Sequence, residues 1–301
     1  LKLSIDIEDF KVPIGKKIDL KIYDSDWVPK WAQKGQDKAG KKQVKQQALA
    51  LLENNRKKLA ELQELFWASD TYSMLLILQG MDAAGKDSTI RHVLSGINPQ
   101  GCQVTSFKTP SAEELDHDFL WRHTKALPER GSIGIFNRSY YEDVLIVKVR
   151  PEFLKKQQLP SKNGIVFWDQ RYEDINMFER HLVRSGTIVL KFFLNVSKKK
   201  QKQRLLDRLC NPDKEWKFSL TDLSERSKWD EYMEAYHDVL DKTNTEWAPW
   251  YVIPADRKWV THAAISEVVL AHIKKLDLKY PVLSKEQYRA LKKARAELEE
   301  Q

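Results

Sequence analysis

Short apolar runs alternate with longer amphipathic stretches along this chain. Residues 74–78 are apolar without interruption, largely apolar segments of strand length recur at 132–136, 187–194 and 250–254, and the mixed segment 102–107 reads as a further strand. Such runs, rich in Leu, Ile and Val, suit strands of a parallel sheet buried on both faces. Between them apolar residues recur at helical spacing. Leu49, Leu51, Leu52, Leu59, Leu62, Leu65 and Phe66, set among Lys, Glu and Gln, predict one long amphipathic helix over 42–68. Ser111 with Glu114 predicts a capping box at a helix start. Ala263, Ala264, Ile265, Val268, Val269 and Leu270 predict a helix after the last run, and the charged stretch from Ser284 a helix at the surface or in an oligomer contact. Strands alternating with helices predict an α/β fold, a five-stranded parallel sheet between helices. Residues 1–40, broken by Pro13, Gly15, Pro29, Gly35 and Gly40, read as an irregular arm ahead of a domain over 41–275, with a C-terminal helix in 276–301.

Composition narrows the class. Of the 301 residues 42% are hydrophobic and 31% charged, with 11 Gly and 11 Pro, which fits a helix-rich globular chain rather than a disordered or all-β one. The net charge of +8 favours polyanionic partners, whether nucleic acid, an anionic membrane or a phosphate-rich substrate. No stretch approaches the roughly 20 apolar residues of a membrane span, and the opening Leu1-Lys2-Leu3-Ser4-Ile5-Asp6 does not read as a signal peptide. Cys102 and Cys210 lack metal-binding or redox spacing, so a reducing cytoplasm is expected, without a membrane partner.

The first apolar run leads into Gly80-Met81-Asp82-Ala83-Ala84-Gly85-Lys86-Asp87-Ser88-Thr89, and then a helical pattern begins with Ile90, Val93 and Leu94. The spacing Gly80-x4-Gly85-Lys86 between a strand and a helix is that of a phosphate-binding loop. Amides of Ala83, Ala84 and Gly85 would surround a phosphate, Lys86 neutralise it, and the hydroxyls of Ser88 and Thr89 lie close by. Asp82 and Asp87 are unusual there, since a bare carboxylate repels phosphate; Mg²⁺ resolves the conflict by taking one or two carboxylates, phosphate oxygens and water. Asp87 also suits the first turn of a helix without any metal.

After the third run comes Phe136-Asn137-Arg138-Ser139-Tyr140-Tyr141-Glu142-Asp143. Arg138 is placed to stabilise charge on a transferring phosphoryl group, and Glu142 to complete a metal site with Asp82 and Asp87; an i,i+4 surface pair between them is the plainer alternative. Past the fourth run, Lys200, Arg204 and Arg208 share one helical face, a basic stripe positioned like a nucleotide-kinase lid over about 198–245. Lys108, Arg122 and Lys125 extend the basic surface.

With Gln203-Arg204-Leu205-Leu206-Asp207-Arg208 and Trp216-Lys217-Phe218-Ser219, these motifs over residues 40–275 resemble the polyphosphate kinase 2 family. The resemblance implies a thymidylate-kinase-like P-loop kinase fold with a helical lid, and Mg²⁺-dependent phosphoryl transfer between inorganic polyphosphate and nucleotides. It implies functional roles for Asp82, Lys86, Asp87, Arg138 and Glu142, and for Arg204 or Arg208 as the lid arginine. Asn137 stands where many members carry Asp, and Glu142 resembles the branch acting on both mono- and diphosphates. AMP, ADP and ATP are therefore the expected partners of polyphosphate, in a homo-oligomer that binds no nucleic acid. An ATP-dependent small-metabolite or nucleoside kinase, and a nucleic-acid-binding ATPase, are the alternatives.

Overall fold

The computed structural model describes residues 3–29, 38–160 and 164–301. Its strands, β1 (Ser73–Gln79), β2 (Cys102–Ser106), β3 (Ile133–Asn137), β4 (Thr187–Asn195) and β5 (Trp250–Pro254), form one parallel sheet in the order β2-β3-β1-β4-β5. Every residue of β1 is buried, as its unbroken apolar run requires of a central strand. Leu78 of β1 sits between Asn137 of β3 and Phe192 of β4. The chain crosses β1 between β3 and β4, so its connections diverge there and leave a crevice at the strands' carboxyl ends.

Helices cover the sheet: α1 (Lys38–Ser69), α2 (Lys86–Val93), α3 (Gly164–Arg184), α4 (Lys198–Leu209), α5 (Leu220–Ser227), α6 (Trp229–Thr243) and α7 (Lys258–Lys274), followed by α8 (Lys285–Glu299). The buried stripe of α1 differs from the one its leucines predict. Val44, Ala48, Leu52, Asn55, Leu59, Gln63 and Phe66 face inward, while Leu49 is exposed. Asn55 is tolerated there because its amide donates to Ser266 Oγ of α7 at 3.0 Å. The capping box forms as expected, with Ser111 Oγ accepting from Glu114 N and Glu114 accepting from Ser111 N.

Of the expected arm over 1–40, residues 3–29 are irregular apart from two 3-10 turns, Ile7–Asp9 and Leu20–Ile22, residues 38–40 already belong to α1, and residues 1–2 and 30–37 lie outside the described residues. The arm also completes the sheet edge. Val12 N donates to Trp250 O at 2.9 Å and Val252 N to Phe10 O at 2.8 Å, in antiparallel register beside β5, and Phe10, Val12 and Ile18 join the core.

Candidate active site

The turn from β1 to α2 is shaped by backbone geometry. Gly80 (φ 153°) leaves the strand where a Cβ would come within 3.0 Å of Leu194 O and 3.1 Å of Leu194 Cβ. Ala83 (φ 61°) and Gly85 (φ 114°) hold the left-handed backbone that wraps the loop around its amides. Lys86, the first residue of α2, is buried, and its Nζ donates to Gly80 O at 2.6 Å and Met81 O at 3.4 Å. Burial lowers the pKa of this ammonium and Arg138 lowers it further, while Asp82, Glu142 and Asp87 oppose them.

β3 delivers the opposite wall. Arg138, just past its end, is also left-handed (φ 64°), and its N donates to Leu78 O at 3.1 Å. A non-glycine residue pays a strain cost in this conformation and holds it only where its surroundings fix it. Its guanidinium lies 2.7 Å from Asp82 Oδ1 and 3.8 Å from Glu142 Oε2. Glu142 above all, and then Asp82, raise the Arg138 pKa against the opposing effect of burial. The contact to Asp82 in the phosphate loop is thus shorter than the i,i+4 pair. Asn137 Nδ2 donates to Asp87 Oδ1 at 2.8 Å and Ser106 Oγ at 3.3 Å. With its amide oriented to satisfy both ends, Gln79 donates to Glu142 Oε1 at 2.9 Å and accepts from Ser139. Loop, arginine and carboxylates therefore converge where β1 and β3 end.

Polyphosphate kinase 2 is the family whose model matches residues 39–281. The chain belongs to this family. It is 47% identical over 281 residues to the ADP-polyphosphate phosphotransferase of Rhodopseudomonas palustris, covering 93% of each chain. It is 42% identical over 275 residues to the AMP/ADP-polyphosphate phosphotransferase of Meiothermus ruber, covering 91% of this chain and 96% of that one. A crystal structure of polyphosphate kinase 2 from Arthrobacter aurescens superposes with a TM-score of 0.83 at 38% identity, over 97% of this chain and 98% of that one. The fold is accordingly that of the polyphosphate kinase 2 enzymes, an α/β P-loop kinase.

In this polyphosphate kinase 2 chain the three residues of the basic stripe part company. Arg204 is buried. Its Nη1 donates to Ala83 O at 2.9 Å and Ala84 O at 2.8 Å, and its Nη2 to Ala255 O at 2.5 Å and Asp256 O at 3.2 Å. It thus fastens the phosphate loop to the end of β5. Arg208, one turn on, pairs with Asp222 of α5 at 3.1 Å. Lys200 donates to Gln203 and lines a surface groove with Lys42, Lys45, Lys199 and Arg257. Around Lys258 the charges of Arg204, Lys214, Arg208 and Lys217 gather closely enough to add to burial in lowering its pKa.

The remaining positions spread around the loop. Ser88 Oγ lies 3.3 Å from His262 Nε2, and Thr89 Oγ1 is buried without a hydrogen bond among the described residues. Arg122 donates to Lys108 O at 2.9 Å and lies 3.5 Å from Glu114. Both line a cleft of about 120 Å³ with Phe107, Phe153, Arg138 and Glu142, beside the loop. Lys125 instead sits over the Trp121 ring.

Asp82 and Asp87 each engage one carboxylate oxygen, leaving the second without a hydrogen bond among the described residues. No three His, Cys, Asp or Glu groups among the described residues form a metal cage. This donor set fits Mg²⁺, which is satisfied by one or two carboxylates together with phosphate and water.

Sequence reasoning missed several neighbours. Gln201 is buried and donates to Asp82 O at 3.0 Å, while Arg226 of α5 donates to Gln201 Oε1 at 2.7 Å. Tyr236 of α6 lies close enough to Glu142 and Gly80 for both to affect its hydroxyl, and burial with Glu142 raises its pKa well above the ordinary value. Gln201 was within reach: as the one uncharged residue among five at 198–202, it marks the inward face of α4.

Proposed function

We propose that this chain is a Mg²⁺-dependent phosphotransferase that moves phosphoryl groups between inorganic polyphosphate and nucleotides, with AMP and ADP as acceptors and ATP among its products. The observation that carries this reading is the Arg138 guanidinium, locked between Asp82 of the phosphate loop and Glu142. A fixed cation beside a phosphate cradle serves a reaction governed by positioning and charge neutralisation. The basic group Arg208, Lys214, Lys217 and Lys258 offers more positive charge than one nucleotide requires, which favours a longer polyanion.

Lys86 and the loop amides would bind the donor phosphates, with Lys86 exchanging its carbonyl partners for phosphate oxygens. Arg138 would bear on the transferring group. Asp82 and Asp87, with Glu142, are the residues we assign to Mg²⁺, which supplies charge neutralisation when bound. We assign Arg204 to positioning the loop, because four backbone carbonyls already occupy its guanidinium, and leave Arg208 as the stripe arginine able to meet substrate. The cleft lined by Lys108 and Arg122 is our choice for the acceptor side. No helix of the described residues is long and apolar enough to cross a membrane. Cys102 and Cys210, both free thiols, support a cytoplasmic setting, and we expect a homo-oligomer.

The deciding assay mixes the protein with ADP, polyphosphate and Mg²⁺ and follows ATP. ATP formation abolished by chelator is expected. Absence of ATP, together with phosphorylation of a small acceptor by ATP or DNA-stimulated ATP hydrolysis, would replace this reading with one of its rivals.

A further inference from the structure

Gln201 is completely buried on α4, a helix whose other buried members are Arg204 and Leu205. An amide removed from water costs stability unless its polar ends are paired. Here both ends are. Nε2 donates to Asp82 O at 3.0 Å, and Oε1 accepts from Arg226 Nη1 of α5 at 2.7 Å. The two partners fix which way the amide faces, since a guanidinium only donates and a carbonyl only accepts. Arg226 is anchored in turn by donating to Lys198 O at 2.8 Å, at the start of α4.

α4 thereby holds three consecutive carbonyls of the phosphate loop, Gln201 that of Asp82 and Arg204 those of Ala83 and Ala84. The described residues contain no cis peptide bond. In a trans peptide the N–H and C=O of one unit point in opposite directions. Fixing Asp82 O against α4 therefore aims the Ala83 amide away from that helix, and fixing Ala84 O does the same for the Gly85 amide. The amide between them, that of Ala84, donates to Met81 O at 3.0 Å and closes the turn, whereas those of Ala83 and Gly85 make no hydrogen bond among the described residues. Two donors are thus left for a phosphate, and Gln201 aims the first. Ala83 also holds a left-handed backbone (φ 61°), which persists only where the surroundings fix it. Gln201 and Arg204 clamp the peptides on its two sides.

We infer that Gln201 is a positioning residue for phosphate binding, aiming the Ala83 amide, and that Arg226 acts through it by keeping its amide turned towards the loop. The bond from the charged guanidinium also polarises the amide and strengthens its donation to Asp82 O. The inference rests on the reading that the loop takes the donor phosphates, whichever donor carries them.

Equilibrium binding of tripolyphosphate and of ATP to the full chain, each with Mg²⁺, tests it, with urea unfolding of every variant beside it. The variants are compared with the probe that the wild type binds more tightly. Gln201→Met keeps the volume and loses both hydrogen bonds, and should raise Kd about tenfold. Gln201→Glu still accepts from Arg226 but offers no donor to Asp82 O, and should lose at least as much, which a packing role would not produce. Arg226→Met should raise Kd about fivefold alone and add nothing to Gln201→Met, since a residue acting through another is not additive with it. A wild type that binds ATP but not tripolyphosphate would overturn polyphosphate as the donor, and the same variants would then decide the role of Gln201 with ATP. Binding of neither probe, a Gln201→Glu protein that binds like wild type, losses that vanish once the unfolded fraction is discounted, or additive losses in the double variant would each overturn the inference.

Discussion

Arg204 and Arg208 stand one turn apart on the same helix, yet only the first is enclosed by the phosphate loop and the end of β5. Truncating Arg204 strands several buried carbonyls, each a polar group removed from water. Arg204→Ala should lower unfolding stability by about 3 kcal/mol in urea titration, and Arg208→Ala should leave it within about 1 kcal/mol. Equal losses would contradict the assignment of Arg204 to positioning. At the carboxylates, Asp82→Asn and Asp87→Asn should each remove most transfer activity at ordinary Mg²⁺ while circular dichroism stays unchanged; near-normal rates would exclude them from metal binding. Glu142 is held by Gln79 and Arg138 from two sides, so its carboxylate is fixed rather than free to follow substrate. AMP brings fewer phosphate oxygens than ADP to share a metal, and Glu142→Ala should therefore reduce kcat/KM more for AMP than for ADP. Equal losses would assign Glu142 to chemistry common to both acceptors.

Among the secondary-structure elements, β1 and β5 were legible because strands buried on both faces write themselves as apolar runs, and Trp250–Pro254 matches its run from end to end, whereas the edge strand β2 is mixed in sequence and largely uncovered. The phosphate loop was legible for a similar reason: glycine, lysine and strand-to-helix order are all local. What stayed hidden depends on partners distant in sequence. The buried stripe of α1 includes Asn55 and Gln63, and α3 carries Glu179 on its inner face, polar residues that helical periodicity counts as solvent-facing. Glu179 belongs there because Lys191 of β4 meets it at 2.6 Å, with Tyr140 and Tyr141 donating to its other oxygen at 2.9 and 2.7 Å. Those tyrosines follow Arg138 within the same segment, so this buried pair underpins one wall of the site. Lys191→Met should cost about 3–5 kcal/mol, because it leaves a buried carboxylate unpaired. A loss below about 1 kcal/mol in urea titration would mean that the pair can be broken freely.

For the whole molecule, acid stability is set in part by two histidines on opposite sides of the sheet order, His123 near β3 and His262 near the phosphate loop. Burial holds both near pKa 3, compared with the ordinary 6.5. Below about pH 6.5 the unfolded chain takes up protons that the folded one refuses, so stability falls with falling pH until about pH 3. The slope reaches about 1.4 kcal/mol per pH unit for each histidine. Urea unfolding at pH 6.5 and 5 should therefore differ by up to about 4 kcal/mol, and His123→Leu should remove about half of that difference; an unchanged slope would remove His123 as a source of it. The pairing of the arm with β5 bears on how the chain reaches its native state. Phe10 and Val12 are made before the strand they seal, from which they are far removed along the chain. Contacts so distant in sequence form slowly. Until β5 is made, the arm must wait with its apolar residues uncovered, which makes it a natural point of engagement for a ribosome-associated chaperone and makes the edge closure a late step of folding.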